Sequence, residues 1–210
     1  MEPIIYLVRH AESEHNISKD FSHRDPPLTA SGVAQASALK TTFPDPGSIA
    51  VVFTSPLKRA LQTTLAGFSR VLAVQHTDKS NAVDTYAKLV IDVDLQERSD
   101  LLCDTGSDRV ALEKAFPALD FSALGRDWFV KTDFYSADET SVKLRAEAFR
   151  KKLWAIVKSL REGVSRKQRS IVIVTHGVFM KYLSQDMSID LPKAAWRAFR
   201  CAVCATALGP

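Results

Sequence analysis

Apolar residues along this chain fall into short runs separated by longer periodic stretches. Four runs, Ile4 to Val8, Ile49 to Thr54, Leu89 to Val93 and Ile171 to Thr175, are short and rich in Val and Ile. That is the signature of buried strands in a parallel sheet. Between them lie helical patterns. Thr29 to Phe43 has an entry turn and a series of alanines, ended by Pro44-Asp45-Pro46-Gly47. Ser55 to Phe68 offers Ser55 as N-cap and Pro56 at the first helical position. Thr140 to Arg161 is the longest, with Leu144, Phe149, Leu153, Trp154 and Ile156 among its apolar positions and Gly163 as its stop. A further helix starts within Gly177 to Leu183. The alternation predicts an α/β fold with a mainly parallel central sheet.

The length of 210 residues favours one domain, 1–210, with a full-sized core. Residues 74–88 and 103–138 are less regular and read as insertions that shape a substrate site. Trp128, Phe129, Phe134 and Tyr135 lie in the second insertion and form either an apolar lid or a satellite core. Apolar content of 46% and charged content of 25% exclude a disordered or collagen-like chain. A net charge of +4, spread without a basic block, gives no nucleic-acid footprint and suits a pocket for an anionic substrate. No apolar stretch approaches a membrane span, and the N-terminus lacks a signal-peptide pattern. Cys103, Cys201 and Cys204 are sparse. The lone C-x-x-C lacks two further zinc ligands, so packing residues in a reduced, cytoplasmic setting are expected.

The ends of the four runs carry the candidate chemistry. They deliver Arg9-His10, then Ser55-Pro56-Leu57-Lys58-Arg59, then Gln96-Glu97-Arg98, then His176-Gly177. In a parallel sheet those carboxyl ends share one edge, where ligands collect. Two histidines, two or three arginines and a carboxylate on one edge suit phosphoryl transfer through a histidine. The forks of Arg9 and Arg59 match phosphate oxygens. A neutral His10 is a competent nucleophile. Glu97 can give a proton to the leaving oxygen, and His176 can stabilise the developing charge. Neither metal nor cofactor is required, because the arginines neutralise the phosphoryl charge. Asp92, Asp94 and Asp100 compete with Glu97 for the acid role; Asp92 and Asp94 share one side of their strand by period two. Lys19, Arg24, Arg126 and Lys131 either add positive charge for a second anionic group or, each taken alone, read as solvated surface; His15, His23 and His76 suggest no chemistry, although His23-Arg24 could line the pocket mouth as well as form a solvated loop.

The same residues carry a family resemblance. Leu7-Val8-Arg9-His10-Ala11-Glu12-Ser13 resembles the Arg-His-Gly signature of the histidine phosphatase superfamily, in its phosphoglycerate mutase-like branch, with Ala11 in place of the usual glycine. Asp25-Pro26-Pro27-Leu28-Thr29-Ala30-Ser31-Gly32, Ser55-Pro56-Leu57-Lys58-Arg59-Ala60-Leu61-Gln62-Thr63 and Val174-Thr175-His176-Gly177 resemble further motifs of that family, in the same order. The resemblance implies a three-layer α/β/α fold and a phosphorylated nucleophile at His10. Arg9, Arg59 and His176 would complete the phosphate pocket, and Glu97 would be the proton donor. Asn16, Ser22 and Gly177 would lie at substrate-contacting positions. After Arg98 the chain departs from the mutase pattern.

The expected activity is therefore hydrolysis of a small phosphorylated substrate through phospho-His10, with protein phosphotyrosine inside the same class. A phosphomutase is one alternative, and a non-catalytic phosphopeptide-binding module on the same fold is the other.

Overall fold

The computed structural model describes residues 2–72, 86–162 and 168–200. Its elements are β1 (Ile4–Arg9), α1 (Glu14–Ser18), α2 (Ala30–Thr42), β2 (Ile49–Thr54), α3 (Lys58–Phe68), β3 (Lys88–Ile91), α4 (Arg109–Ala115), α5 (Glu139–Glu162), β4 (Ser170–Thr175), α6 (Phe179–Ser184) and β5 (Trp196–Arg200). The sheet order is β3-β2-β4-β1-β5. β1, β2, β3 and β4 pair in parallel, and β5 lies antiparallel against β1.

Alternate residues of each central strand enter opposite layers, as a pleated strand requires. Ile5, Leu7, Ile171, Ile173, Val51 and Phe53 pack with α5 and α6. Tyr6, Val8, Val172, Val174 and Val52 pack with Leu39 and Phe43 from α2 and Ala60 and Phe68 from α3. The predicted three layers are thus present. On α5 the buried stripe is Val142, Ala146, Phe149, Leu153 and Val157, whereas Leu144 and Trp154 face solvent.

Two features differ from the sequence reading. β5 was not foreseen: it is an edge strand whose residues are exposed or half-buried, so it lacks the apolar run of a central strand. The helix after β2 begins at Lys58, with Leu57 and not Ser55 at its N-cap. The cause is remote: Asp25 Oδ1 accepts the Lys58 N–H at 2.9 Å, and its Oδ2 accepts the Ser107 N–H at 2.9 Å. A carboxylate 33 residues upstream thus serves this helix start, which its charge also favours.

The second insertion folds onto α3. Trp128 joins Leu57, Leu61, Leu112, Leu119, Phe121 and Leu124 in a small separate core, so the satellite-core alternative holds for this residue. An added Cβ on Gly106 would meet the Trp128 ring at 1.9 Å. Residues 74–85 of the first insertion, with His76, and Gly163, Cys201 and Cys204 lie outside the described residues. Among the described residues no helix is long and apolar enough to cross a membrane.

Candidate active site

β1 ends at Arg9, and His10 follows as a buried side chain. Its backbone N–H still donates to Thr175 O of β4 at 2.9 Å, so the imidazole is fixed at the sheet edge. His10 Nδ1 lies 2.7 Å from Ala11 O. A carbonyl only accepts, so Nδ1 carries the proton and Nε2 keeps its lone pair. Burial, then the cations Arg59 and Lys193, hold the His10 pKa well below the histidine range. The ring is therefore neutral, with a free nucleophilic nitrogen.

His176 follows β4, and its ring centroid stands 5.1 Å from that of His10. Its Nε2 lies 2.9 Å from Ser55 Oγ, at the end of β2. Ser55 Oγ already accepts the Leu57 N–H at 3.3 Å. The hydroxyl proton has no other acceptor among the described residues, so it goes to Nε2 and the imidazole proton rests on Nδ1. That Nδ1 is buried and has no partner among the described residues. Burial and Arg59 keep His176 neutral too.

Arg59 sits in the first turn of α3, 1% exposed. Its Nη1 donates to Cys103 O and its Nη2 to Asp104 Oδ1, both at 2.7 Å, leaving Nε unpartnered. Arg9 donates from Nη1 to Asp190 Oδ1 at 2.9 Å and to Leu191 O, again with Nε unpartnered. Gly177 serves Arg9: a Cβ there would meet Arg9 Nη2 at 2.9 Å and Cζ at 3.0 Å. Its missing side chain lets the guanidinium lie against the backbone.

Glu97 is reached through a single 3-10 turn, Val93–Leu95, beyond β3. Its carboxylate accepts from Val178 N at 3.0 Å, Phe179 N at 2.9 Å and Arg98 N at 2.8 Å. Two of the rival carboxylates are engaged elsewhere, and the third, Asp100, is exposed. Asp92 and Asp94 both face Lys152 of α5, at 3.1 and 2.7 Å.

The outer positions divide. Asn16 lies in α1, where Asn16 Nδ2 donates to His15 Nε2, His15 Nδ1 to Ser13 Oγ, and Ser13 Oγ to Asn16 Oδ1, each at 3.0–3.1 Å. This closed ring sits beside His10, whose ring centroid is 6.4 Å from that of His15. Ser22 is exposed, and both its N–H and hydroxyl turn to Asp20 Oδ1. Three residues of the site escaped the sequence reading. His15 is buried, with its pKa lowered to about 4 by burial and Arg59. Lys131 is half-buried rather than solvated and donates to Glu97 O at 2.8 Å. Lys193, on the loop before β5, is half-buried and its charge acts on His10, His15 and His176. Burial lowers both lysines to about 7. Only their isolation in irregular segments marks them, and that signal is weak.

The three buried histidines predict the acid response of the fold. Each is depressed by burial, whereas each titrates near 6.5 in an unfolded chain. Below that value the unfolded chain binds more protons than the folded one. Stability is therefore fully present above about pH 6.5 and falls as pH drops toward the folded values. Each histidine contributes up to about 1.4 kcal/mol per pH unit in that window. Melting temperature should fall from pH 7.5 to pH 5; a flat profile would show that the rings are not held neutral.

Residues 5–80 match the model of the histidine phosphatase superfamily, branch 1. A protein of Schizosaccharomyces pombe named "Probable phosphatase" is 30% identical over 207 residues, covering 92% of this chain and 85% of its own. Phosphoglycerate mutase-like protein 1 of Arabidopsis thaliana is 27% identical over 204 residues, covering 84% and 68%. In structure the chain is similar to a mycobacterial glucosyl-3-phosphoglycerate phosphatase complexed with VO3 (TM-score 0.57, 17% identity, 93% and 90% covered). It is equally similar to the alpha-ribazole phosphatase of Shigella flexneri (TM-score 0.57, 22% identity, 93% and 89% covered). The structural likenesses speak for the fold, and the first relative, matched along most of both chains, speaks for descent. The chain belongs to the histidine phosphatase superfamily.

Proposed function

We propose that this protein hydrolyses phosphomonoesters through a phosphohistidine on His10. One observation carries the reading. Three residues bear on His10, Arg9 and Arg59 through their charge and His176 through its ring at 5.1 Å, and each has a buried side-chain nitrogen that lacks a partner among the described residues. A transferring phosphoryl group has three non-bridging oxygens, and donors fixed in advance are what stabilise it.

In the first step His10 Nε2 bonds to phosphorus and the ester P–O bond breaks. Glu97 gives its proton to the departing alcohol oxygen. In the second step water attacks the phosphohistidine and returns a proton to Glu97. The N–P bond breaks, and inorganic phosphate leaves. The Arg9 and Arg59 guanidinium groups neutralise the phosphoryl charge throughout, so activity is expected to survive a chelator.

The discriminating experiment is a panel of phosphorylated small molecules and a phosphotyrosine peptide, assayed with EDTA present. Release of inorganic phosphate matching the loss of ester supports a phosphatase. Recovery of the phosphate on a second hydroxyl would instead mark a mutase. Binding without turnover of any ester would mark a recognition module.

A further inference from the structure

The segment that carries Glu97 runs out of a single 3-10 turn and belongs to no helix or strand of the sheet, yet its backbone is closely held. Leu95 O accepts from Thr175 Oγ1 of β4 at 2.8 Å. Asp94 O and Gln96 O both accept from Arg145 Nη1 of α5, at 3.2 and 2.7 Å. Glu97 O accepts from Lys131 Nζ at 2.8 Å. Four consecutive carbonyls are thus satisfied by side chains from three separate parts of the chain. Buried backbone acceptors need partners, and off the sheet these are the partners present.

Arg145 is the unusual member. It is fully buried in the core-facing stripe of α5, among Val142, Ala146 and Phe149. Among the described residues no carboxylate is in contact with it, although the charges of Glu97 and Asp94 act on it, and its Nε and Nη2 have no hydrogen-bond partner. Burial of a cation without a carboxylate in contact is unfavourable for stability, and an apolar residue would pack there more readily. Its guanidinium also lies 4.5 Å over the ring of Phe179, whose own N–H holds Glu97 Oε1 at 2.9 Å. One side chain therefore touches both halves of the Glu97 support: the backbone leading into it and the residue that grips its carboxylate.

We propose that Arg145 is a positioning residue for Glu97, holding the carboxyl group where it can protonate the departing alcohol. The inference rests on the reading of Glu97 as proton donor. It assigns Arg145 no contact with substrate. Arg145 acts through the Asp94 and Gln96 carbonyls and the Phe179 ring, and misplacement by about 1 Å is enough to impair catalysis.

The test measures phosphoenzyme formation by acid quench with 4-nitrophenyl phosphate and with benzyl phosphate. 4-Nitrophenolate leaves readily without a proton, whereas benzyl alcohol does not. Glu97→Gln should slow the benzyl ester by about 10²-fold or more and the nitrophenyl ester much less. Arg145→Met should show the same imbalance, about 10-fold or more on the benzyl ester. Arg145→Lys, which keeps a donor, should recover part of the loss. In the Arg145→Met, Glu97→Gln double variant the benzyl penalty should not exceed that of Glu97→Gln alone. If Glu97→Gln shows no imbalance, the reading of Glu97 fails. If Glu97→Gln shows it and Arg145→Met slows both esters equally, the positioning role fails. Should Arg145→Met not fold, Arg145→Lys decides alone: an imbalance between the esters supports the role, and equal rates or equal losses overturn it.

Discussion

Replacing His10 by alanine is expected to abolish turnover, lowering kcat by more than about 10⁴-fold, and to remove the acid-trapped phosphoenzyme. The expectation follows from the tautomer. Ala11 O fixes the proton on Nδ1, so Nε2 is a lone pair at neutral pH without any base to activate it. No neighbour can take over. His176 Nε2 is held by Ser55, and its Nδ1 carries a proton. His15 has its Nε2 lone pair occupied by the Asn16 amide. His176→Ala should therefore still accumulate labelled phosphate on His10, though slowly. Label that persists in His10→Ala would move the nucleophile elsewhere and sink the mechanism.

Substituting Arg59 by methionine should damage activity and fold together. The activity loss is expected at about 10³-fold in kcat/KM, because a preorganised donor is removed from the phosphoryl pocket. The fold loss arises from what remains. Asp104 Oδ1 would face a buried space without its guanidinium, and Cys103 O would lose its donor. Breaking a buried pair from one side costs about 3–5 kcal/mol, or roughly 10 °C in melting temperature at this size. The two effects are separable. Adding Asp104→Leu to Arg59→Met should restore much of the stability and none of the activity, since replacing both partners removes the stranded charge. Recovery of turnover in that double variant would show that Arg59 acts only as a structural ion pair.

Much of this arrangement could be read from the residues because strand exits announce themselves. Arg9, His10, Glu97 and His176 each follow an apolar run, and the parallel pairing of β1 to β4 brings those runs to one edge. The rest was hidden for definable reasons. Asp25 looks like a turn residue, and only the folded chain brings its carboxylate to Lys58 N. Ser55 has the residue type of an N-cap, but its hydroxyl is committed to His176. β5 has neither an apolar run nor a strict alternation, so its sequence resembles a loop. Lys131 and Lys193 come from segments without periodicity, so no spacing rule places them near Glu97 or His10. Local pattern reports which residues leave the sheet; it does not report what a distant loop brings to meet them.

The strand order has a further consequence, for the timing of assembly. β1 and β2 lead into the His10 and Arg59 motifs, yet they never touch: β4 lies between them, and β5 closes the far side of β1. Among the described residues up to 72, which include His10 and Arg59, β1 and β2 therefore form no sheet with each other. During synthesis His10 emerges early and then waits for more than 150 residues before its neighbours at Ser170–Thr175 and Ala195 arrive. Such long-range closure is slow and leaves strand edges open meanwhile. A nascent or truncated chain ending before β4 can pair β2 with β3 but leaves β1 without a partner and the β4-facing edge of β2 open to whatever it meets.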